Sequence, residues 1–150
     1  MLLGIMLVVA TLGATASISA PDFYAQLSKP AWAPPPGVFG PAWTALYLLM
    51  TFAAWLVVRM RGWQHSRLEM SVYFLQLVLN ALWSWLFFRW RNGNGALLDI
   101  ALLWLTIVVN LILFWRVQRW AGVLLIPYLL WVSFASVLTW SVVKLNPQLL

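Results

Sequence analysis

A chain of 150 residues in which 64% are hydrophobic and only 8% are charged cannot form an ordinary soluble domain, because such domains carry about 25% charged residues. The net charge of +6 comes from basic residues that lie between apolar runs, a placement that favours contact with lipid headgroups over nucleic-acid binding. The absence of cysteine excludes disulfides and thiol chemistry. One histidine and three acidic residues leave little material for a metal site.

Five apolar runs occur along the chain, each close to the ~20 residues that a helix needs to cross a hydrocarbon core about 30 Å thick. They comprise residues 2–20, 41–58, 68–88, 96–115 and 121–143. Most connections are short, so neighbouring helices must run antiparallel. The sequence therefore predicts one all-α domain over residues 1–150, a multi-pass integral membrane protein built as a bundle of five transmembrane helices. Basic residues are nearly balanced between the two sides, so neither the orientation nor the membrane is assigned.

The first run has a second interpretation, because Ser19 and Ala20 before Pro21 resemble the cleavage site of a secretory signal. Such a signal begins with a basic segment, whereas the first basic residue here is Lys29. Small residues such as Gly4 also suit close helix packing in lipid. We therefore predict a retained helix.

The connection over residues 21–40 differs from the others in composition. Its prolines rule out a continuous helix; they are Pro21, Pro30, Pro34, Pro35 and Pro36. Its aromatic residues give it more bulk than a linker needs; they are Phe23, Tyr24, Trp32 and Phe39. Two interpretations stay open: an interfacial loop with its rings among lipid headgroups, or a stiff lid, preset by proline, over one mouth of the bundle.

Polar residues within membrane helices usually face the bundle interior or a cavity. Helical spacing groups such residues with aromatic ones into a stripe on each of the last four runs. The stripes comprise Trp43, Tyr47, Met50 and Ala54; Gln76, Asn80, Trp83 and Phe87; Asp99, Leu103, Thr106 and Asn110; and Pro127, Trp131, Phe134, Ala135 and Leu138. Gln76 and Asn80 have two interpretations, namely hydrogen bonds between helices or contacts with a ligand.

Asp99 lies near the start of its run, close in sequence to Arg89 and Arg91. The helix dipole and an ion pair would stabilise a negative charge there, which predicts a structural role. A proton-coupled drug exporter needs a titratable residue deep in the membrane, and Asp99 is too shallow for it. His65 has no neighbouring acid, which predicts a solvated side chain.

Twelve tryptophans in 150 residues exceed what the aromatic belts at two membrane interfaces require. One set lies at run ends, as a belt would: Trp63, Trp90, Trp115 and Trp120. Another set lies deeper or on the polar stripes: Trp43, Trp83, Trp104 and Trp131. Flat aromatic walls with an indole N–H suit a large, planar, mostly apolar ligand, such as a tetrapyrrole or a sterol.

Four groups of motifs span nearly the whole chain. They are KPAWAPP at residues 29–35, GPAWTALY at 40–47, QLVLNALW at 76–83 with FF at 87–88, and PYLLW at 127–131 with FAS at 134–136. In order and spacing the set closely resembles the translocator protein (TspO) family, also known as tryptophan-rich sensory proteins or peripheral benzodiazepine receptors.

The resemblance implies a five-helix bundle, often a homodimer, with a pocket closed by the first loop. It implies a membrane receptor or carrier for porphyrins such as protoporphyrin IX, with a transport or stress-signalling role; some members bind cholesterol or benzodiazepine-type ligands. The ligand-binding positions it implies are Tyr24, Trp32, Pro34, Trp43, Asn80, Trp83, Trp131 and Ala135, and Tyr47 joins them through its stripe. It implies no resident cofactor.

Two positions depart from the family pattern. Leu138, Trp140 and Lys144 stand where the family's sterol motif has leucine, tyrosine and a basic residue, so the motif does not predict sterol binding here. Phe23 stands where many members have tryptophan.

An enzymatic function is the alternative. Some bacterial relatives are reported to break down protoporphyrin in light, using tryptophans that Trp43 and Trp131 resemble. The chain would then be a light- and oxygen-dependent porphyrin-degrading enzyme, in which indole radicals do the work of an acid–base pair.

Overall fold

Helices and short turns make up the protein in the computed structural model, which describes residues 2–16 and 20–150. The α-helices in these ranges are α1 (Leu2–Ala16), α2 (Ala20–Gln26), α3 (Phe39–Arg61), α4 (Arg67–Ser84), α5 (Gly93–Val117) and α6 (Arg119–Leu145). Single 3-10 turns precede α3 and α4, at Pro36–Val38 and Gln64–Ser66. The described ranges contain no strand, so the predicted all-α class is confirmed.

Four helical segments are long and apolar enough to cross a membrane: Pro36–Arg61, Gln64–Arg89, Gly93–Val117 and Arg119–Leu145. Their mean hydropathy ranges from 1.4 to 2.5, and the prediction of a multi-pass integral membrane protein is confirmed. Helix α1 covers 15 residues, fewer than the ~20 of a full crossing. Residues 17–19, at the end of the first predicted run, lie outside the described residues. The fifth crossing therefore stays a prediction.

The long helices pack as a ring in the order α1, α3, α6, α5, α4. The most extensive contact joins α5 to α6, followed by α4 with α5 and α3 with α6, while α1 lies against α4 and α3. The centre is closed by side chains with no exposed surface, among them Met50, Ala53, Ala54, Val57 and Ile107. The small side chains of Ala53 and Ala54 let α3 approach its neighbours closely.

The predicted lid region contains one helical segment that its prolines did not indicate. Helix α2 has Pro21 in its first turn, where the missing N–H would have had no helical partner in any case. Phe23, Tyr24 and Leu27 are buried, so this part of the lid packs on the bundle. No continuous helix runs through residues 21–40, as the prolines predict.

Helix α4 ends in a π-helical turn over Trp85–Arg89. The N–H of Trp90 donates to the carbonyl of Trp85 at 2.9 Å, and the N–H of Asn92 donates to the carbonyl of Leu86 at 2.8 Å. The wider turn directs Phe87 into the bundle, where its ring meets Phe23 of α2 at 6.3 Å. Single π turns of this kind are common beside functional sites.

Candidate functional site

A buried amide joins three helices at the level of the lid. The hydroxyl of Tyr47 on α3 donates to Asn80 Oδ1 on α4 at 2.6 Å, and Asn80 Nδ2 donates to the hydroxyl of Tyr128 on α6 at 3.2 Å. Asn80 is 5% exposed and Tyr128 is fully buried. Both groups of the Asn80 side chain therefore have partners, and its orientation is fixed by them.

Aromatic rings lie directly beside this amide. The Trp43 ring lies 5.8 Å from Tyr47, 6.2 Å from Tyr128 and 6.4 Å from Trp131, centroid to centroid. The last two pairs meet edge to face, which is the favourable arrangement of aromatic quadrupoles. We call Trp43, Tyr47, Tyr128 and Trp131 the tryptophan cluster. It brings together three of the predicted ligand-binding residues.

The lid contacts the tryptophan cluster from one end. The hydroxyl of Tyr24 donates to the carbonyl of Pro34 at 2.9 Å, which closes the lid on itself. Its ring meets Phe39 at 5.6 Å, and Phe39 in turn meets Trp131 at 6.0 Å. Burial raises the pKa of the Tyr24 phenol, so the group stays a neutral donor at physiological pH.

The start of the lid is tied to the end of α6. The N–H of Ser28 donates to Asn146 Oδ1 at 2.8 Å, and Asn146 Nδ2 donates back to the carbonyl of Ser28 at 2.8 Å. Lys29 Nζ donates to the carbonyls of Tyr24 and Leu27 at 2.7 and 3.0 Å. These bonds anchor the chain just before the exposed Trp32, whose ring meets Phe134 edge to face at 5.9 Å.

An open groove of about 590 Å³ runs along the outside of the α3–α6 contact. It is lined by Pro34 of the lid; Ala42, Ala45, Leu46 and Leu49 of α3; and Pro127, Leu130, Trp131 and Phe134 of α6. The lining is almost entirely apolar. Trp131 belongs to both places, because it lines this α3–α6 groove and also meets Trp43 in the tryptophan cluster.

Comparison with known proteins identifies the family. The model of the TspO/MBR family matches residues 2–145, nearly the whole chain. The chain belongs to the TspO/MBR family. The resemblance predicted from the motifs is thereby confirmed.

Relatives within the family come from bacteria and mammals. The tryptophan-rich protein TspO of Chlorobaculum tepidum is 39% identical over 127 residues, 83% of this chain and 80% of the relative. The tryptophan-rich sensory protein of Cereibacter sphaeroides is 38% identical, over 88% of this chain and 82% of the relative. The human translocator protein is 34% identical, over 83% and 75%.

Trp83 of this TspO/MBR protein lies beside the tryptophan cluster rather than in it. Its ring stacks on Phe87 at 5.1 Å and meets Phe88 edge to face at 5.7 Å. Trp83 packs against the main buried core of the bundle and also against the smaller apolar core under the lid, which includes Phe23 and Phe87. Ala135 packs against the main core, as Trp131 does. Two predicted site residues, Trp83 and Ala135, thus lie outside the tryptophan cluster and pack on the same core.

Two indole N–H groups at the site are buried without an acceptor among the described residues, those of Trp83 and Trp131. The indole of Trp104, by contrast, donates to Ser133 Oγ at 2.8 Å. A buried donor left unpaired costs about 1–3 kcal/mol. A ligand with acceptor atoms could satisfy two such donors in this candidate site.

Tyr128 is not among the predicted site residues, although its hydroxyl accepts a hydrogen bond from the Asn80 amide. The signal was present in the spacing, because Tyr128, Trp131 and Ala135 follow i, i+3, i+7 on one helical face. Phe39 and Phe134 were also not selected, and both meet Trp131. More aromatic rings thus surround Trp131 than the predicted site residues included.

The ion pair predicted for Asp99 does not form. Asp99 is 4% exposed, and neither carboxyl oxygen has a hydrogen-bond partner among the described residues. Arg91 instead lies over the Phe23 ring, 4.6 Å from its centroid. The difference arises because the Arg91 guanidinium packs as a cation over the Phe23 ring of α2 and does not pair with Asp99 on α5.

One ion pair does form at the opposite end of the bundle, between Arg61 and the buried Glu69 at 2.6 Å. The His65 side chain is exposed, as predicted. Within residues 2–16 and 20–150, no three His, Asp or Glu side chains come together in a way that could hold a metal ion.

Proposed function

We propose that the protein is an integral membrane receptor or carrier for porphyrins of the protoporphyrin IX type, with a role in transport or stress signalling. The observation that carries the proposal is the buried indole N–H of Trp131, which has no acceptor among the described residues. Trp131 lies at the junction of the tryptophan cluster and the α3–α6 groove. Flat rings supply stacking surfaces for a planar macrocycle, and the indole supplies a donor. Benzodiazepine-type compounds, which share the flat aromatic shape, are candidate ligands of the same site.

The ligand-binding residues we propose fall into two groups. Trp43, Tyr47, Asn80, Trp83, Trp131 and Ala135 form the walls, and Tyr24, Trp32 and Pro34 form the lid. Relatives named tryptophan-rich sensory protein and translocator protein support a sensing or carrying role. The α3–α6 groove adjoins these walls, and its volume of about 590 Å³ is large enough to admit a small molecule.

Titration of the purified protein with protoporphyrin IX tests the proposal, with quenching of tryptophan fluorescence as the readout. The double variant Trp43→Phe, Trp131→Phe is expected to bind about tenfold more weakly, because two stacking surfaces shrink and the indole donor of Trp131 is lost. The matched control removes two tryptophans from the opposite end, Trp63→Phe with Trp120→Phe. Equal affinities for the two double variants would contradict the assigned site.

A second candidate function is light- and oxygen-dependent degradation of the bound porphyrin. It is favoured by the edge-to-face contact of Trp43 and Trp131 at 6.4 Å, which places two oxidisable indoles side by side. Dioxygen would be the oxidant. Illumination of the complex in air, followed by absorbance, tests it: loss of porphyrin no faster than in a protein-free control would leave the receptor function alone.

The proposed architecture is a homodimer of five-helix bundles in which α1 makes the fifth crossing. Helix α1 packs against α3 and α4, as a member of the ring would. Because the chain has no cysteine, single reporters at Gly4→Cys and Asp22→Cys can be labelled cleanly in vesicles. Labelling of both from the same side would contradict the crossing, and the mass of the detergent-solubilised complex tests the dimer.

A further inference from the structure

Trp131 separates two spaces of different character. On one side the rings of the tryptophan cluster are in mutual contact, so that side is closed. On the other side lies the α3–α6 groove, whose wall includes Ala45 and the 65% exposed Leu130. In a membrane-spanning helix, such exposed apolar positions face lipid chains.

We propose that the α3–α6 groove is a lateral portal through which a porphyrin passes from the bilayer into the site, with the Trp131 ring as its movable wall. This inference rests on the proposed function and adds a route to it. The ligand class is a planar apolar macrocycle already dissolved in the membrane. Ala45 sets the width of the portal, because its small side chain lies on the groove wall opposite α6.

The hydrogen bonds around the site favour this route over passage under the lid. Opening the lid breaks the bond from Tyr24 to the carbonyl of Pro34 and strains the reciprocal pair between Ser28 and Asn146. Turning the Trp131 ring breaks none, because its indole N–H has no acceptor among the described residues. The movement is opposed by apolar packing, which includes the ring contacts of Trp131 with Phe39, Trp43 and Phe134.

Helix α6 is also locally weakened beside the portal. Pro127 lies inside the helix, one turn before Trp131. Proline has no backbone N–H, so the carbonyl four residues earlier loses its helical partner and the helix bends more easily there. The proline ring itself lines the groove. Flexibility is thus placed next to the residue that has to move.

Stopped-flow measurement of protoporphyrin IX exchange tests the portal, with the protein in lipid vesicles and the porphyrin added from a second vesicle population. Ala45→Phe narrows the groove, and we expect it to slow association and dissociation by about tenfold each. The dissociation constant is then unchanged, because a barrier affects both directions equally. Leu130→Ala widens the groove and is expected to speed both rates several-fold.

Ala101→Phe is the matched control, since Ala101 is exposed on α5 and does not line the groove. It is expected to leave both rates unchanged. Two results would overturn the portal: unaltered rates in Ala45→Phe, which would place the route under the lid, or a weaker equilibrium affinity with an unaltered association rate, which would make the groove the resting site. Lack of saturable binding by the unaltered protein would instead contradict the proposed function itself.

Discussion

Two amide side chains lie on the same face of α4, one turn apart, and they have different surroundings. Gln76 has no exposed surface; its oxygen accepts from Asn110 Nδ2 at 3.2 Å, and its nitrogen lies 3.7 Å from Met50 Sδ. Asn80 instead hydrogen-bonds to the hydroxyls of Tyr47 and Tyr128, whose rings lie beside the Trp43 indole. Both amides thus join helices through buried hydrogen bonds, but only Asn80 does so beside the rings of the proposed site.

The contrast extends to the regions around the two amides. Around Gln76 the helices meet through side chains such as Met50, Ala53 and Ile107, all with no exposed surface. Around Asn80 the packing consists of large rings in edge contact, with the open groove behind one of them. The first region is built to stay closed, whereas the second can rearrange by turning a ring. The following variants test this difference.

The largest effect is expected for Gln76→Leu, and it concerns stability. Asn110 would lose the acceptor for its amide, and its own oxygen is already unpaired among the described residues. We expect the free energy of unfolding to fall by about 2 kcal/mol, because a buried amide would be left without partners. Unfolding in mixed micelles with increasing SDS measures this, and porphyrin affinity should stay unchanged.

The double variant Gln76→Leu, Asn110→Leu is the control. It removes both partners, which is far less costly than removing one, so much of the lost stability should return. The single variant Asn110→Leu completes the comparison. If the losses of unfolding free energy in the two single variants simply add in the double variant, the pair is not coupled and Gln76 does not act through Asn110.

The next effect is expected for Asn80→Leu, and it concerns the ligand. Tyr47 and Tyr128 would lose the group that holds their hydroxyls, and the rings of the tryptophan cluster would lose their alignment. We expect porphyrin affinity to fall about fivefold, equivalent to about 1 kcal/mol, with a smaller loss of stability than for Gln76→Leu. If Asn80→Leu lowered stability but left porphyrin affinity unchanged, Asn80 would have the same purely structural role as Gln76.

Helical periodicity predicted much of the bundle interior, but it placed the exposed Pro127 there and left out the buried Tyr128. Tyr47, Asn80 and Trp131 lie on stripes found from spacing alone; Tyr47 bonds to Asn80, and both Tyr47 and Trp131 contact Trp43. Spacing carries no information about which rings of different helices meet, so the contacts of Trp43 with Tyr128 and Trp131 could not be foreseen. The outcome for Asp99 has a similar origin, because spacing did not reveal that Arg91 would pack over the Phe23 ring. Neither carboxyl oxygen of Asp99 has a partner among the described residues.

A smaller effect is expected for Tyr24→Phe, which removes the hydrogen bond to the Pro34 carbonyl while keeping the ring. The free-energy difference that favours the closed lid over the open one should fall by about 0.5–1 kcal/mol, the net contribution of one neutral hydrogen bond. A nitroxide on Val38→Cys, at an exposed position of the lid, reports the mobile fraction by its spectral line shape. Asn146→Ala should mobilise the same label, since it removes the tie at the start of the lid. An unchanged spectrum in both variants would mean that ring packing alone holds the lid.

The smallest effect is a pH dependence of the same lid, absent under physiological conditions. Burial raises the pKa of Tyr24 above its ordinary value of 10.0, so the exposed phenol of an open lid loses its proton at a lower pH than the buried one. The contribution of Tyr24 to closure is therefore complete below about pH 10 and is lost as the pH rises through the raised pKa of the closed state. The nitroxide at Val38→Cys should become more mobile over that range with Tyr24 present. In the Tyr24→Phe background the spectrum should not change with pH, and an equal alkaline change in both backgrounds would assign it to another group.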